Sequence, residues 1–211
     1  MSSKRRGKIF VISAASGSGK TTLCGRLLRE CRGLVVSRSF TTRPRRLGEK
    51  NKRDYIFVSK EEFFVERKNN GFLEWAKVFD NYYGTPKDFV EKKIASGESA
   101  LLIIDVQGAF KVRKKSKDAV LIFIMPPSLD ELERRLLKRK SDGPKDIRLR
   151  LKTAKKEIAQ SRKYDYIVVN DDIEKAVKRL KNIINPNFAI AKFARRVDRE
   201  NLDEIFSCLS R

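Results

Sequence analysis

One short stretch dictates how this chain must begin to fold: residues 8–22 read KIFVISAASGSGKTT. KIFVISA (8–14) is an apolar run rich in β-branched residues, so it predicts a strand. KTTLCGRLLRECR then places Leu23, Leu27 and Leu28 at helical spacing. A strand, a glycine loop and a helix in that order open a parallel βαβ unit. In the loop ASGSGKTT (15–22), Gly17 and Gly19 let backbone N–H groups turn toward an anion, and the helix N-terminus adds its dipole. Ala15, Ser16, Gly17, Ser18, Gly19, Lys20, Thr21 and Thr22 are therefore the expected triphosphate cradle. Lys20 would reach the β- and γ-phosphates of ATP, and the Thr21 hydroxyl would ligate Mg²⁺. The strict pattern begins with glycine, where this chain has Ala14. Alanine fits there at little cost unless the position needs a positive φ.

What the rest of the chain excludes narrows the chemistry. There is no histidine, so Ser-His-Asp and Cys-His catalysis and histidine metal sites are out. The cysteines, Cys24, Cys31 and Cys208, are odd in number and lack metal spacing, which predicts reduced thiols and no zinc. No apolar run approaches ~18 residues, so no membrane span is expected. The basic start MSSKRRGK precedes an apolar run too short for a signal-peptide core, which makes the cytoplasm the default. With 211 residues there is room for one α/β domain and a small insert. The net charge of +22 suits polyanionic partners, either nucleotides or non-specific nucleic acid, although the lysines are spread along the chain. KVRKKSK (111–117) is the densest cluster outside the opening loop.

Further along, GLVVS (33–37) predicts a second parallel strand. Residues 38–98 change character. RDYIFVS alternates like a strand, KEEFFVERKNN predicts a helix ended by Gly71, FLEWAKVF and NYYGTP a strand pair, and KDFVEKKIAS a helix stopped by Gly97. The parallel core resumes with ALLIID (100–105), a strand ending in Asp105. A short basic helix and the strand AVLIFIMPP (119–127) follow. Ser128 with Glu131 three residues on predicts a capping box for the next helix. IRLRLKTAKKEIAQSRK is a long polar helix, YDYIVVN (164–170) the last core strand and DIEKAVKRLKNII the last core helix.

SRSFTTRPRR (37–46) gathers arginines and hydroxyls as a phosphate clamp would, since a planar guanidinium grips phosphate bidentately. In order and spacing, SGSGKTT, SRSFTTRPRRLGE, DYIFVS, GFLEWAKVFDNYYGTP, IDVQGA, PPSLDELERRL and YDYIVVND resemble guanylate kinase, over about residues 8–184. The resemblance implies transfer of a phosphoryl group from ATP to GMP or dGMP. It implies an α/β fold: a three-layer P-loop NTPase with a five-stranded parallel core sheet, an inserted mixed α+β GMP-binding subdomain and a helical lid. The core would take residues 1–37 and 99–186, with the lid at about 136–150, the subdomain 38–98, and a C-terminal helical extension 187–211.

By the same resemblance, Arg43 and Arg46 would hold the GMP phosphate with Tyr55 and Tyr83 facing it, and Ser39 and Thr85 would lie near guanine or phosphate. Glu74 would select guanine, because a carboxylate can accept from N1–H and N2–H₂ together and adenine offers no such pair. Asp105 would lie near Mg²⁺ or GMP, and Arg135, Arg139 and Arg150 would be lid arginines that, with Lys20 and Arg43, stabilise the migrating phosphoryl group. The family's usual acid two residues before Asp105 is here Ile103, and the usual glycine after Arg139 is Lys140. Three other readings compete: a non-catalytic guanylate-kinase-like binding module, a nucleic-acid-binding protein, and a kinase for another monophosphate. The sequence is compatible with a homo-oligomer and does not decide for one.

Overall fold

The computed structural model describes residues 6–78, 80–138 and 144–185. Arg139, Lys140, the middle of the expected lid, Cys208 and the extension 187–211 lie outside the described residues.

The five-stranded sheet has the order β2-β7-β1-β8-β9: Leu34–Ser37, Ser99–Ile103, Ile9–Ala14, Val120–Met125 and Tyr166–Val169. Its pairs β2–β7 and β8–β9 are parallel. All six residues of β1 are buried. That explains why it is apolar apart from Ser13, because a parallel sheet is covered on both faces and alternation would leave polar groups inside. Each fully buried Val, Leu or Ile contributes about 1.5–3 kcal/mol, and Val11, Ile12, Leu101, Leu102, Leu121, Ile122 and Ile124 are all fully buried.

The chain divides into two compact units. One comprises the residues up to Val11 and Gly33–Val120. Beside β2 and β7 it carries a smaller sheet of order β4-β3-β6-β5: Ile56–Phe57, Phe40–Thr41, Asn81–Pro86 and Phe72–Val78. Its helices are α2 (Lys60–Lys68), α3 (Lys87–Ala95) and α4 (Val106–Lys115). The small sheet is held by aromatic packing. Phe63 of α2 stacks on Phe72 with centroids 4.6 Å apart, and Phe40 meets the Phe72 edge at 5.4 Å. Gly84 must be glycine here, since a Cβ would lie 2.8 Å from the Phe72 ring.

The second unit comprises Ile12–Arg32 and the chain from Leu121 onward. It holds α1 (Lys20–Glu30), α5 (Leu129–Leu137), α6 (Pro144–Gln160), a 3₁₀ turn (Ser161–Lys163) and α7 (Ile173–Ile184). α1 buries Leu23, Cys24 and Leu27, and α7 buries Ala176, Val177, Leu180 and Ile184. Ion pairs Arg26–Glu174 and Lys181–Glu30 join these two helices. None of the described helices is long and apolar enough to cross a membrane.

Several local expectations shift. α2 ends at Lys68 with Asn69 as its C-cap, and the left-handed residue that follows is Asn70 (φ 54°), not Gly71; asparagine tolerates that region. SRSFTT contains β3, a strand of two residues, and RDYIFVS contributes only the two residues of β4. At Ser128 only half of the capping box forms. Its hydroxyl accepts from the Glu131 amide at 3.0 Å, while the Glu131 carboxylate turns to Arg134 and Arg135. The reciprocal box is instead at Ser59 and Glu62. β7 stops at Ile103, so Asp105 is not a strand end but the N-cap of α4, accepting from Gly108 N at 2.7 Å.

Candidate active site

β1 delivers the chain to the glycine loop at Ala14. Among the described residues only Lys52 and Asn70 are non-glycine residues with positive φ, so Ala14 carries no strain from replacing the usual glycine. Gly17 (φ 94°) and Gly19 (φ 83°) do take the left-handed conformation. The Ser18 amide donates to the Ala15 carbonyl at 3.1 Å and closes the turn. Gly19 is the N-cap of α1, no side chain caps it, and no acidic residue occupies the first turn. The helix start is thus electrostatically suited to an anion.

The loop is braced from outside. A Cβ at Gly17 would press on Leu132 and Leu136 of α5 at 3.0 and 3.1 Å. A Cβ at Gly19 would meet Asn170 Nδ2 at 2.5 Å. That amide donates to the Ser18 carbonyl at 2.7 Å. Asn170, buried just past β9, is a residue that sequence reasoning missed; the only signal was a polar residue ending an apolar strand. Ser16 N donates to Glu157 Oε2 of α6 at 3.2 Å, a second unforeseen brace. Lys20 is half-buried, and Thr21 and Thr22 are exposed. Arg135 Nε donates to Glu131 at 2.7 Å and its Nη2 to the Asn170 carbonyl at 3.3 Å, so this arginine belongs to the loop's surroundings. Arg150 is half-buried on α6. Burial pushes the Cys24 thiol up to about 12 despite Lys20, which makes it an inert core residue.

Every residue expected on the acceptor side lies in the other unit. Glu74 on β5 is 4% exposed and sits opposite Thr85 of β6, next to a register shift between Phe72 and Glu74. Thr85 Oγ1 donates to Glu74 Oε1 at 2.6 Å. Burial raises the Glu74 carboxyl to about 7; the Thr85 bond opposes this, Asp105 adds to it, and Lys111 and Lys115 oppose it. Gly108 leaves room for this carboxylate, since a Cβ there would lie 2.9 Å from Glu74 Oε2 and 3.2 Å from Asp105 Oδ1. Glu74, Thr85 and Asp105 are thereby brought together around the first turn of α4. Ser39 is buried, and its carbonyl accepts from Ile56 N at 2.9 Å.

Arg43 lies with Tyr55 and Phe57, its guanidinium carbon 5.5 and 5.7 Å from the ring centroids. The Tyr55 and Tyr83 rings meet edge-on at 6.1 Å. Burial pushes the Tyr55 hydroxyl up, with the neighbouring Tyr83 adding to it, so it stays a donor at neutral pH. Arg43 Nη2 donates to Glu49 Oε1 at 2.7 Å, and that bond leads the causes holding the arginine above its ordinary value. Arg46 is exposed, with its backbone amide on Glu49 Oε2 at 2.7 Å. Glu49 is the third residue the sequence reading passed over, although it ends the quoted arginine motif.

A family model described as guanylate kinase matches residues 6–187. A guanylate kinase of Neisseria gonorrhoeae is 53% identical over 185 residues, covering 88% of this chain and 90% of that protein. One from Wolbachia pipientis wMel is 48% identical over 186 residues, covering 88% and 92%. The crystal structure of guanylate kinase from Anaplasma phagocytophilum superposes with a TM-score of 0.73 at 40% identity, covering 96% of this chain and 97% of that one. The match spans residues 6–187, and the chain belongs to the guanylate kinase family.

Proposed function

We propose that this enzyme transfers the γ-phosphoryl group of ATP to GMP, and to dGMP, giving ADP and GDP. The observation that carries the substrate choice is the buried Glu74–Thr85 pair, in the same unit as Arg43 and Arg46. An ionised Glu74 would accept from guanine N1–H and N2–H₂. With adenine it would stay buried without those donors, which costs ~1–3 kcal/mol or more. Ser39 and Thr85 would add hydroxyl contacts near the base or phosphate. Arg43, Arg46, Tyr55 and Tyr83 would grip the phosphate, and Asp105 would hold the first turn of α4 beside Glu74.

The nucleophile would be a phosphate oxygen of GMP. The second pKa of a phosphomonoester is near ~6, so that oxygen is anionic at neutral pH and needs no general base. This fits a chain without histidine. The oxygen would attack the γ-phosphorus in line as the bond to the β-phosphate oxygen breaks and ADP leaves. What the enzyme must supply is relief of anion–anion repulsion and exclusion of water. Residues 15–22 would cradle the ATP phosphates through backbone amides, with Lys20 on the β- and γ-phosphates. Arg43, Arg135, Arg139 and Arg150 would stabilise charge on the migrating group.

Guanylate kinases are ATP-using kinases that generally need a divalent metal. Thr21, exposed on the first turn of α1, offers the oxygen ligand that magnesium favours. Among the described residues no group of three acidic, histidine or cysteine side chains could hold such an ion, so Thr21 would hold it together with the nucleotide's oxygens. When bound, it would neutralise charge on the ATP phosphates.

Release of ADP with GMP, dGMP, AMP, CMP, UMP and dTMP as acceptors tests the reading. Turnover confined to GMP and dGMP is expected. Equal turnover with AMP ends the guanine assignment, and no turnover with any acceptor favours a non-catalytic module, which would have no use for Lys20 and Thr21.

A further inference from the structure

The segment between Thr41 and Glu49 carries both clamp arginines, and beyond Arg43, which lies over the Tyr55 and Phe57 rings, its residues up to Gly48 face solvent. Pro44 to Gly48 are exposed, and Leu47 at the tip is fully so. One carboxylate ties the loop together. Glu49 Oε1 accepts from Arg43 Nη2 at 2.7 Å, Glu49 Oε2 accepts from the Arg46 amide at 2.7 Å, and the Glu49 amide donates to the Arg46 carbonyl at 3.1 Å. Gly48, at φ 83°, makes the turn that folds Glu49 back. Arg53 Nη2 donates to the Gly48 carbonyl at 2.7 Å and steadies that turn.

We infer that Glu49 is a positioning residue for the acceptor phosphate: it holds Arg43 and the Arg46 backbone in the arrangement that receives the mononucleotide, without touching the nucleotide. This rests on reading Arg43 and Arg46 as the phosphate clamp. A carboxylate competing with phosphate would take the guanidinium bidentately. Glu49 gives Arg43 only one oxygen and spends the other on the Arg46 amide, so it sets an angle rather than filling the fork. A guanidinium carries several N–H donors. Glu49 and the Pro44 carbonyl each take one, which leaves donors for a second anion. Ordering the arginine in the free enzyme removes that entropy cost from binding.

The test is calorimetric binding of GMP and of guanosine, which lacks the phosphate, to the full chain and to Glu49→Gln. Glutamine offers a single acceptor oxygen, so either Arg43 or Arg46 loses its partner. GMP affinity should fall about tenfold or more, as expected for a lost charge-assisted hydrogen bond. Guanosine affinity should stay unchanged, and KM for GMP should rise while KM for ATP does not. Unchanged or tighter GMP binding overturns the inference, and so does an equal loss for GMP and guanosine, which would mean general damage to the subdomain. If the wild-type chain binds GMP no better than guanosine, the clamp reading itself fails, and that arm separates the two.

Discussion

The two units hold their sites by different means. Around the glycine loop, two glycines in the left-handed region turn the chain, and α1 begins without a side-chain cap. The groups expected to face the anion there are backbone amides together with Lys20, and Asn170 braces the loop through the Ser18 carbonyl. In the other unit the expected groups are side chains on the small sheet, its arginine loop and the start of α4, and two of them are already compensated. Glu74 is bonded to Thr85, and Arg43 to Glu49. A backbone grip is indifferent to which triphosphate it holds, because every nucleotide presents the same oxygens. A side-chain grip can tell bases apart, and it carries the cost of buried charge. Glu74, raised to about 7, shows that cost.

Substitutions can separate the two sides. The largest effect is expected from Glu74→Ala, which on the proposed reading would remove two charge-assisted hydrogen bonds to guanine. kcat/KM for GMP should fall by about 10²-fold or more, with KM for ATP unchanged. A matching loss on the ATP side would erase the contrast. Next comes Gly19→Ala. A left-handed alanine costs ~1–2 kcal/mol, and its Cβ would meet Asn170 at 2.5 Å. ATP affinity should drop about 5- to 30-fold, while GMP binding measured without ATP stays the same.

The titration of Glu74 gives an effect of similar size. On the proposed reading guanine's donors would need the carboxylate, and Glu74 takes up a proton as pH falls through about 7. Guanosine binding should weaken about tenfold from pH 8 to pH 6, and Glu74→Gln should remove that dependence. Using guanosine keeps the phosphate's own titration out of the measurement. The sign for stability is opposite. The folded carboxyl is raised from 4.5 to about 7, so the folded state binds the proton more tightly and loses stability as pH rises through that window. Denaturant melts at pH 5 and pH 8 should show a smaller drop for Glu74→Gln than for wild type. The smallest effect is Gly25→Ala. A Cβ there would meet nothing within 4 Å, so the helix should gain up to about 1 kcal/mol in thermal melts with both substrates' KM unchanged.

The same contrast explains what could be read in advance. The glycine loop is local: strand, turn residues and helix follow one another within residues 8–30, and each obeys its own periodicity. The five core strands were legible for the same reason, being short apolar runs between turns. The acceptor side gathers residues 39 to 108 through a hairpin with a register shift at Glu74 and a two-residue strand at Phe40. No periodicity shows a strand that short. Glu74, Thr85 and Asp105 were named through family resemblance, and the hydrogen bond and burial that join them emerge only from the fold. Asn170 went unseen because its amide meets the Ser18 carbonyl, and backbone groups leave no mark on residue type. Glu49 went unseen because its two oxygens join the Arg43 side chain to the Arg46 amide, a pairing only the folded loop shows.

The most direct measurement is a crystal structure with GMP bound. It should place both oxygens of Glu74 on guanine N1 and N2, and the guanidinium groups of Arg43 and Arg46 on the phosphate. GMP bound elsewhere, with Arg43 and Arg46 turned to solvent and Glu74 still paired only with Thr85, would contradict the account.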